Sequence, residues 1–101
     1  MAYEAGALDE TLAVAAGDDP ALFAELREAF IESLARQIDL LRRARCDGNW
    51  VVAAMRLKGL AASFSAVPVL ALAEEAIAAA PGDPLVIRKL QLFHDEFVAG
   101  S

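Results

Sequence analysis

The sequence predicts an all-α protein, and three observations lead to that prediction. Alanine and leucine supply much of a composition that is 57% hydrophobic and 24% charged, with only 6 glycines and 4 prolines in 101 residues. Apolar residues recur at three- and four-residue steps, and no alternating run bounded by hairpin signals appears. Short turn signals separate the periodic segments. We therefore expect residues 1–101 to form one domain, an up-down antiparallel four-helix bundle with a short N-terminal helix packed on it.

The first two predicted helices are marked by clear stop and start signals. The first is short, from about Leu8 to Ala16, because the segment GDD at 17–19 stops it. The second begins at Pro20 with Asp19 as its N-cap, since aspartate is favoured at the cap and proline at the first helical position. We expect this long helix to continue to about Cys46.

The second helix has a well-defined apolar side and a charged side. Its apolar stripe predicts one buried face, formed by Phe23, Leu26, Phe30, Leu34, Ile38 and Leu41. On the other side, Glu32–Arg36 and Asp39–Arg43 have the i,i+4 spacing and the order that favour ion pairs on a helix surface.

The third predicted helix follows the turn CDGN at 46–49, is capped by Asn49 and reaches about Ser63. Steps of about 100° per residue divide it into two faces. The face expected to join the core contains Ala53, Leu57, Leu60, Ala61 and Phe64. The face expected to meet solvent or a partner contains Met55, Lys58, Gly59 and Ala62.

Proline and aspartate also punctuate the last two predicted helices. Pro68 lies in the first turn of the fourth helix, which ends in the segment APGD at 80–83. Asp83 caps the fifth helix and Pro84 opens it. This helix carries Leu85, Leu90, Phe93 and Phe97. We expect the core to include Phe23, Phe30, Leu57, Phe64 and Phe93.

Charge and composition restrict the classes of partner. The net charge of −6 argues against nucleic acid or an anionic membrane as the main partner, since both are bound through clustered Lys and Arg. The basic residues are nevertheless concentrated in LLRRAR at 40–45 and MRLKG at 55–59. No apolar run is long enough to span a bilayer, and the N-terminus has no signal-peptide pattern. With Cys46 as its single cysteine, the chain is expected in the cytoplasm, and no cofactor is implied.

Gly59 is informative because a glycine inside a helix costs about 1 kcal/mol relative to alanine. It stands one turn after Met55, on the face opposite the expected core. A position without a side chain lets another molecule approach the backbone closely. Close packing between two helices of the chain itself is the alternative explanation.

The segment RLKGLAASFSAVPVLALAEE at 56–75 resembles the signature of the histidine-containing phosphotransfer (HPt) domain, whose pattern is His-x-Leu-Lys-Gly followed by small residues. The segment at 17–44 resembles the long second helix of that family, and DGNW at 47–50 resembles its acidic turn. The resemblance covers the chain from about residue 8 to residue 97. The Leu-Lys-Gly core is its specific part. Two positions depart from the pattern nearby: Leu60 replaces a small polar residue, and Ser65 stands where glycine is common.

The resemblance implies a module of two-component phosphorelay signalling. In such modules the histidine exchanges a phosphoryl group with receiver-domain aspartates, the lysine lies beside the phosphate, and the glycine admits the receiver. Leu57, Lys58 and Gly59 match this pattern, but Met55 occupies the phosphohistidine position. A thioether has no nitrogen to carry a labile phosphoryl group, so Met55 cannot relay one.

No other residue supplies catalytic chemistry in this sequence. His94, the single histidine, is followed by Asp95 and Glu96, whose charges would repel a phosphoryl group, so it is interpreted as a surface or boundary residue. Structural zinc requires four ligands, and no such set is present. No nucleophilic triad, phosphate-binding loop or carboxylate pair indicates an enzyme.

Two functions are compatible with these sequence features. The first is a degenerate HPt-like module that binds the receiver domain of a response regulator, or a histidine kinase, without carrying phosphate. Its partner-binding residues would be Met55, Arg56, Lys58, Gly59 and Ala62, with Arg56 and Lys58 attracting an acidic receiver. The second is a helical dimerisation or scaffolding domain that has no receiver partner. The sequence leaves the oligomeric state open.

Overall fold

A computed structural model describes the backbone of residues 2–100 and the side chains of residues 8–100. Over this part of the chain the protein is all-helical, and the described residues include no β-strand. The five helices are α1 (Ala2–Ala16), α2 (Pro20–Arg43), α3 (Asp47–Ser63), α4 (Val67–Ala78) and α5 (Pro84–Ala99). None of these helices combines the length and the apolar character that a membrane span needs, as far as the described residues go.

Aspartate and proline begin two of the helices as the sequence predicts. An Asp19 carboxylate oxygen accepts hydrogen bonds from the backbone N–H groups of Ala21 and Leu22, at 3.0 and 3.2 Å. Asp83 caps α5 in the same way, accepting from the Leu85 N–H at 2.9 Å. In both cases the following proline occupies the first turn, where its missing N–H costs no hydrogen bond.

Three predicted helix ends are wrong. The first helix begins at Ala2 rather than near Leu8, and α2 ends at Arg43 because Ala44 takes an extended backbone. The third helix begins at Asp47, so its N-cap is Cys46 and not Asn49. The Cys46 thiol accepts a hydrogen bond from the Asn49 N–H at 3.4 Å. Cysteine is not among the favoured cap residues, and this is why the predicted cap lies three residues too late.

The helices enclose an apolar core. Helices α2, α3, α4 and α5 contact one another in a closed ring, and α1 contacts α2 and α5. Among the described residues, no polar or charged residue is fully buried. Of the five core positions predicted above, Phe30, Leu57 and Phe93 are buried, whereas Phe23 and Phe64 are only partly buried at its edge.

Trp50 is a core residue that was not among the predicted core positions. It lies in the first turn of α3 and is 1% exposed. Its indole Nε1–H donates a hydrogen bond to the Ala76 carbonyl oxygen in α4, at 2.8 Å. Burial of the ring together with a satisfied polar atom makes Trp50 a strong link between α3 and α4. Among the described residues, these two helices form the most extensive helix–helix contact.

One of the two predicted helix-surface ion pairs forms. Arg43 contacts Asp39 at 3.0 Å, as the i,i+4 spacing predicts. Arg36 instead donates a hydrogen bond to the Ser33 hydroxyl at 3.3 Å, and it makes no ion pair with Glu32. Exposed pairs of this kind contribute little, about 0–1 kcal/mol, so the difference has little consequence for the fold.

Candidate protein-docking surface

Met55 lies on the exposed side of α3, and its side chain is 52% exposed. Leu57, which points to the opposite side of the helix, is fully buried against the other helices. Gly59 and Ala62 are exposed as predicted, and Arg56 is exposed as well. Lys58, predicted to face outward, and Leu60, predicted to join the core, are both only partly buried. The helical periodicity of α3 therefore places the predicted partner-binding residues on the accessible side of the helix.

Gly59 has no packing role among the described residues. A Cβ atom built at this position would meet none of their heavy atoms within 4 Å, apart from the neighbouring backbone of α3 itself. The glycine is therefore not needed for a close contact between two helices, which was the alternative explanation for it. It leaves an open strip beside Met55, and the cost of about 1 kcal/mol relative to alanine is not offset by any contact inside the molecule.

Two valines extend this surface toward the N-terminus of α3. Val51 and Val52 are 43% and 51% exposed, and both lie within about 60° of Met55 around the helix axis. Neither valine was among the predicted binding residues, although the same 100° steps place both beside Met55. We refer to Val51, Val52, Met55, Gly59 and Ala62 as the outer face of α3.

The two basic residues beside the outer face differ in their surroundings. Lys58 points toward α4, where its Nζ atom lies 3.9 Å from a Glu74 carboxylate oxygen. Arg56 lies on the α2 side and has no ion-pair partner among the described residues. The positive charge beside the outer face is therefore locally neutralised on one edge and uncompensated on the other.

A groove of about 560 Å³ lies on this uncompensated edge, between the end of α2 and the first turns of α3. Its apolar part is formed by Leu40, Ala44, Val52 and Ala53, and its polar part by Arg43, Arg45, Asn49 and Arg56. Val52 belongs both to the groove and to the outer face of α3, so the two surfaces are continuous. The concentration of basic residues at 40–45 and 55–59 is visible in the sequence, but Arg43, Arg45 and Asn49 were not predicted to belong to a site.

The single histidine takes part in a polar network far from Met55 in sequence. His94 Nδ1 lies 3.1 Å from an Asp95 carboxylate oxygen, and the Gln91 amide donates to the same oxygen at 3.0 Å. These hydrogen bonds, His94 first, hold the pKa of Asp95 below its ordinary value. Arg42 of α2 donates a hydrogen bond to the side-chain amide oxygen Oε1 of Gln91 at 3.0 Å, so the network joins α2 to α5.

The described residues form no candidate metal-binding site. They include no group of three or more His, Cys, Asp or Glu side chains arranged to hold an ion. The exposed Cys46 thiol is occupied as the N-cap of α3. The surface of α3 presents apolar and cationic side chains that can contact a partner.

Comparison of the chain with protein-family models, with curated proteins and with solved structures gives no match.

Proposed function

We propose that the chain is an HPt-like module of two-component signalling that binds receiver domains of response regulators, or a histidine kinase, without carrying a phosphoryl group. The observation that carries the proposal is the open position at Gly59 beside an exposed Met55. A glycine with no packing role inside the chain is explained by a partner that approaches the α3 backbone. The Leu57-Lys58-Gly59 sequence is then the retained part of a docking site whose reactive residue is methionine.

The proposed architecture is the up-down antiparallel bundle of α2, α3, α4 and α5, with α1 packed on α2 and α5. The closed ring of contacts among the four helices supports this arrangement. In such a bundle one helix can present its outward residues to a partner while its inner residues remain in the core. The proposed function is binding rather than catalysis, in the cytoplasm, and it needs no cofactor.

Methionine suits the centre of such an interface. Its unbranched thioether side chain adapts to irregular partner surfaces, and half of it is already accessible. The exposed Val51 and Val52 add apolar area next to it. Lys58 and Arg56 contribute positive potential, which speeds encounter with an acidic receiver more than it raises affinity.

The first test fills the open position. Gly59→Arg places a long side chain where a partner would approach, and we expect it to abolish binding to any receiver domain that binds the wild type. The melting temperature should hardly change, since no atom lies near the added Cβ and arginine is the better helix former. Binding is measured by titration calorimetry against purified receiver domains encoded in the same genome.

The control for that variant is Ala35→Arg, which adds the same side chain to an exposed position of α2. It should leave receiver binding unchanged. Unfolding of Gly59→Arg would show that Gly59 is a packing residue, and undiminished binding would show that the outer face of α3 is not the docking surface.

The second test restores the missing nucleophile. Incubated with a phosphorylated receiver domain, the wild type should take up no acid-labile phosphate, because neither Met55 nor a neighbour can accept it. Met55→His places an imidazole three residues before Lys58 and one turn before Gly59, so we expect weak, acid-labile labelling. A small misplacement of the ring, of about 1 Å, can lower the rate roughly a hundredfold. Labelling of the wild type at His94 would contradict the proposal.

A second function, self-association through the outer face of α3, is favoured by the exposed valines. Val51, Val52 and Met55 form a contiguous apolar strip that two copies could bury against each other. Sedimentation analysis decides between the two. A dimer that dissociates on Val52→Glu, combined with no binding to any receiver domain, would favour this scaffolding role.

A further inference from the structure

We infer that the groove between α2 and α3 binds an acidic segment of the docked partner protein. The carboxylate side chains of that segment bind the arginines of the groove, and a neighbouring apolar side chain of the same segment fills its apolar part. This inference rests on the proposed docking function, since it takes the outer face of α3 as the surface that the partner covers. It assigns the partner's acidic contact to Arg45 and Arg56 rather than to Lys58.

The distribution of charge carries the first step. The chain has a net charge of −6, yet three arginines line this one groove. Arg43 is paired with Asp39 at 3.0 Å, but Arg45 and Arg56 have no ion-pair partner among the described residues. Lys58, on the opposite edge of the outer face, lies 3.9 Å from Glu74. An incoming carboxylate therefore meets two unpaired guanidinium groups on the α2 side, whereas Lys58 on the other edge already has a carboxylate near it.

The chemistry of the groove carries the second step. A guanidinium presents its donors as a planar fork that matches a carboxylate, and two unpaired guanidinium groups can bind two neighbouring acidic side chains. The groove also contains an apolar part, and Leu40 and Val52 lie on its two sides. Its volume of about 560 Å³ is larger than a carboxylate needs and leaves room for an apolar side chain beside it.

The position of the groove identifies the occupant as a protein segment. Val52 lines the groove and is also part of the outer face of α3, so a partner seated on Met55 and Gly59 reaches the groove without a gap. A free small anion would make no favourable contact with the adjoining apolar residues. The surface fits an amphipathic segment with carboxylates on one side and leucine-like residues on the other.

The experiment uses two probes with the full chain. The first is a short amphipathic peptide of glutamate and leucine, and its lysine–leucine counterpart is the control. The second is a receiver domain that binds the wild type. Backbone amide NMR shifts locate each probe on the protein, and calorimetry gives its affinity. We expect the acidic peptide to shift the amides of Leu40, Ala44 and Val52, and its binding to weaken as salt is added.

Charge reversal tests the assignment to the two arginines. The double variant Arg45→Glu and Arg56→Glu should weaken both the peptide and the receiver at least tenfold, mostly through slower association. Arg88→Glu, at an exposed position of α5, should change neither. Circular dichroism melts check that all variants fold, which we expect because none of these arginines forms an ion pair among the described residues.

The outcomes separate this inference from the proposed function. Receiver binding that Gly59→Arg abolishes but the double variant leaves intact would overturn the subsite and keep the docking function. Peptide binding in the groove without any receiver binding would keep the subsite and remove the receiver as partner. Shifts in the groove produced equally by inorganic phosphate or ATP would assign it to small anions, and the absence of any shift with the acidic peptide would overturn it.

Discussion

Ser65 has a left-handed backbone, with φ of +54°, and it is the one non-glycine residue in the described part of the chain with a positive φ. Its N–H donates to the Ala62 carbonyl at 3.2 Å, and the Ala66 N–H donates to the Ala61 carbonyl at 2.8 Å. These two bonds are the Schellman arrangement that ends many helices, usually with glycine at this position. Serine here carries a conformational cost of about 1–2 kcal/mol.

Ser65→Gly should therefore stabilise the protein. Relief of the left-handed conformation exceeds the added entropy of the unfolded chain, which is about 0.4–1 kcal/mol for a glycine. We expect a net gain of about 0.5–1 kcal/mol and a rise of a few degrees in the melting temperature, measured by circular dichroism. Ser65→Ala keeps the Cβ atom and should give no gain. A lower melting temperature for Ser65→Gly would mean that the entropy term is the larger one.

Phe30 shows how one side chain joins several elements. It lies in the middle of α2 and is completely buried. Its ring centroid is 5.2 Å from that of Phe64, just beyond α3, and 5.6 Å from that of Phe97 in α5, both in edge-to-face geometry. Such pairs contribute beyond the burial of their area, so Phe30 holds three helices at one point.

We expect Phe30→Ala to lower the free energy of unfolding by about 3–5 kcal/mol, since it removes a buried ring and leaves a cavity between the helices. That is a large part of the total free energy of unfolding of a small domain, which is roughly 5–15 kcal/mol. Urea denaturation followed by circular dichroism measures the change. Phe23→Ala, at a partly buried position of the same helix, should cost clearly less. A loss under about 1 kcal/mol for Phe30→Ala would contradict the packing of α2.

At the scale of the whole molecule, Arg27 connects the N-terminal helix to the C-terminal one. From α2 its Nε atom donates to an Asp9 carboxylate oxygen of α1 at 3.1 Å, and its Nη2 atom donates to the Phe97 carbonyl of α5. The guanidinium also lies over the Phe97 ring, 4.4 Å from the centroid. The side chain is 13% exposed, so these contacts are partly shielded from water.

Arg27→Ala should loosen α1 and destabilise the protein by about 2–4 kcal/mol, because it removes charged hydrogen bonds and a cation–π contact whose contributions at one side chain do not simply add. Arg27→Lys should not restore the loss, because an ammonium cannot serve a carboxylate, a carbonyl and a ring face at once. Hydrogen exchange should show faster exchange of the α1 amides in both variants. Unchanged protection of α1 would contradict the role of Arg27 as its attachment.

Local chemistry determined much of this protein from its sequence alone. Asp19 and Asp83 cap helices through their nearest backbone groups, and the three- and four-residue spacing of Phe30 and its stripe decides which side of α2 is buried. Met55, Gly59 and Ala62 could be placed outward in the same way. All of these features depend on residues that are close to one another along the chain, so they can be predicted from the sequence.

Other features required the tertiary structure, because they join residues that are distant in sequence. The burial of Trp50 depends on the Ala76 carbonyl in α4, and the attachment of α1 depends on Arg27 meeting Phe97. The candidate groove exists only because the end of α2 lies beside α3, which brings Arg45 and Arg56 to one surface. The charge of Lys58 looks the same as that of Arg56 in the sequence. Only the packing of α4 places Glu74 beside one of them and leaves the other free for a partner.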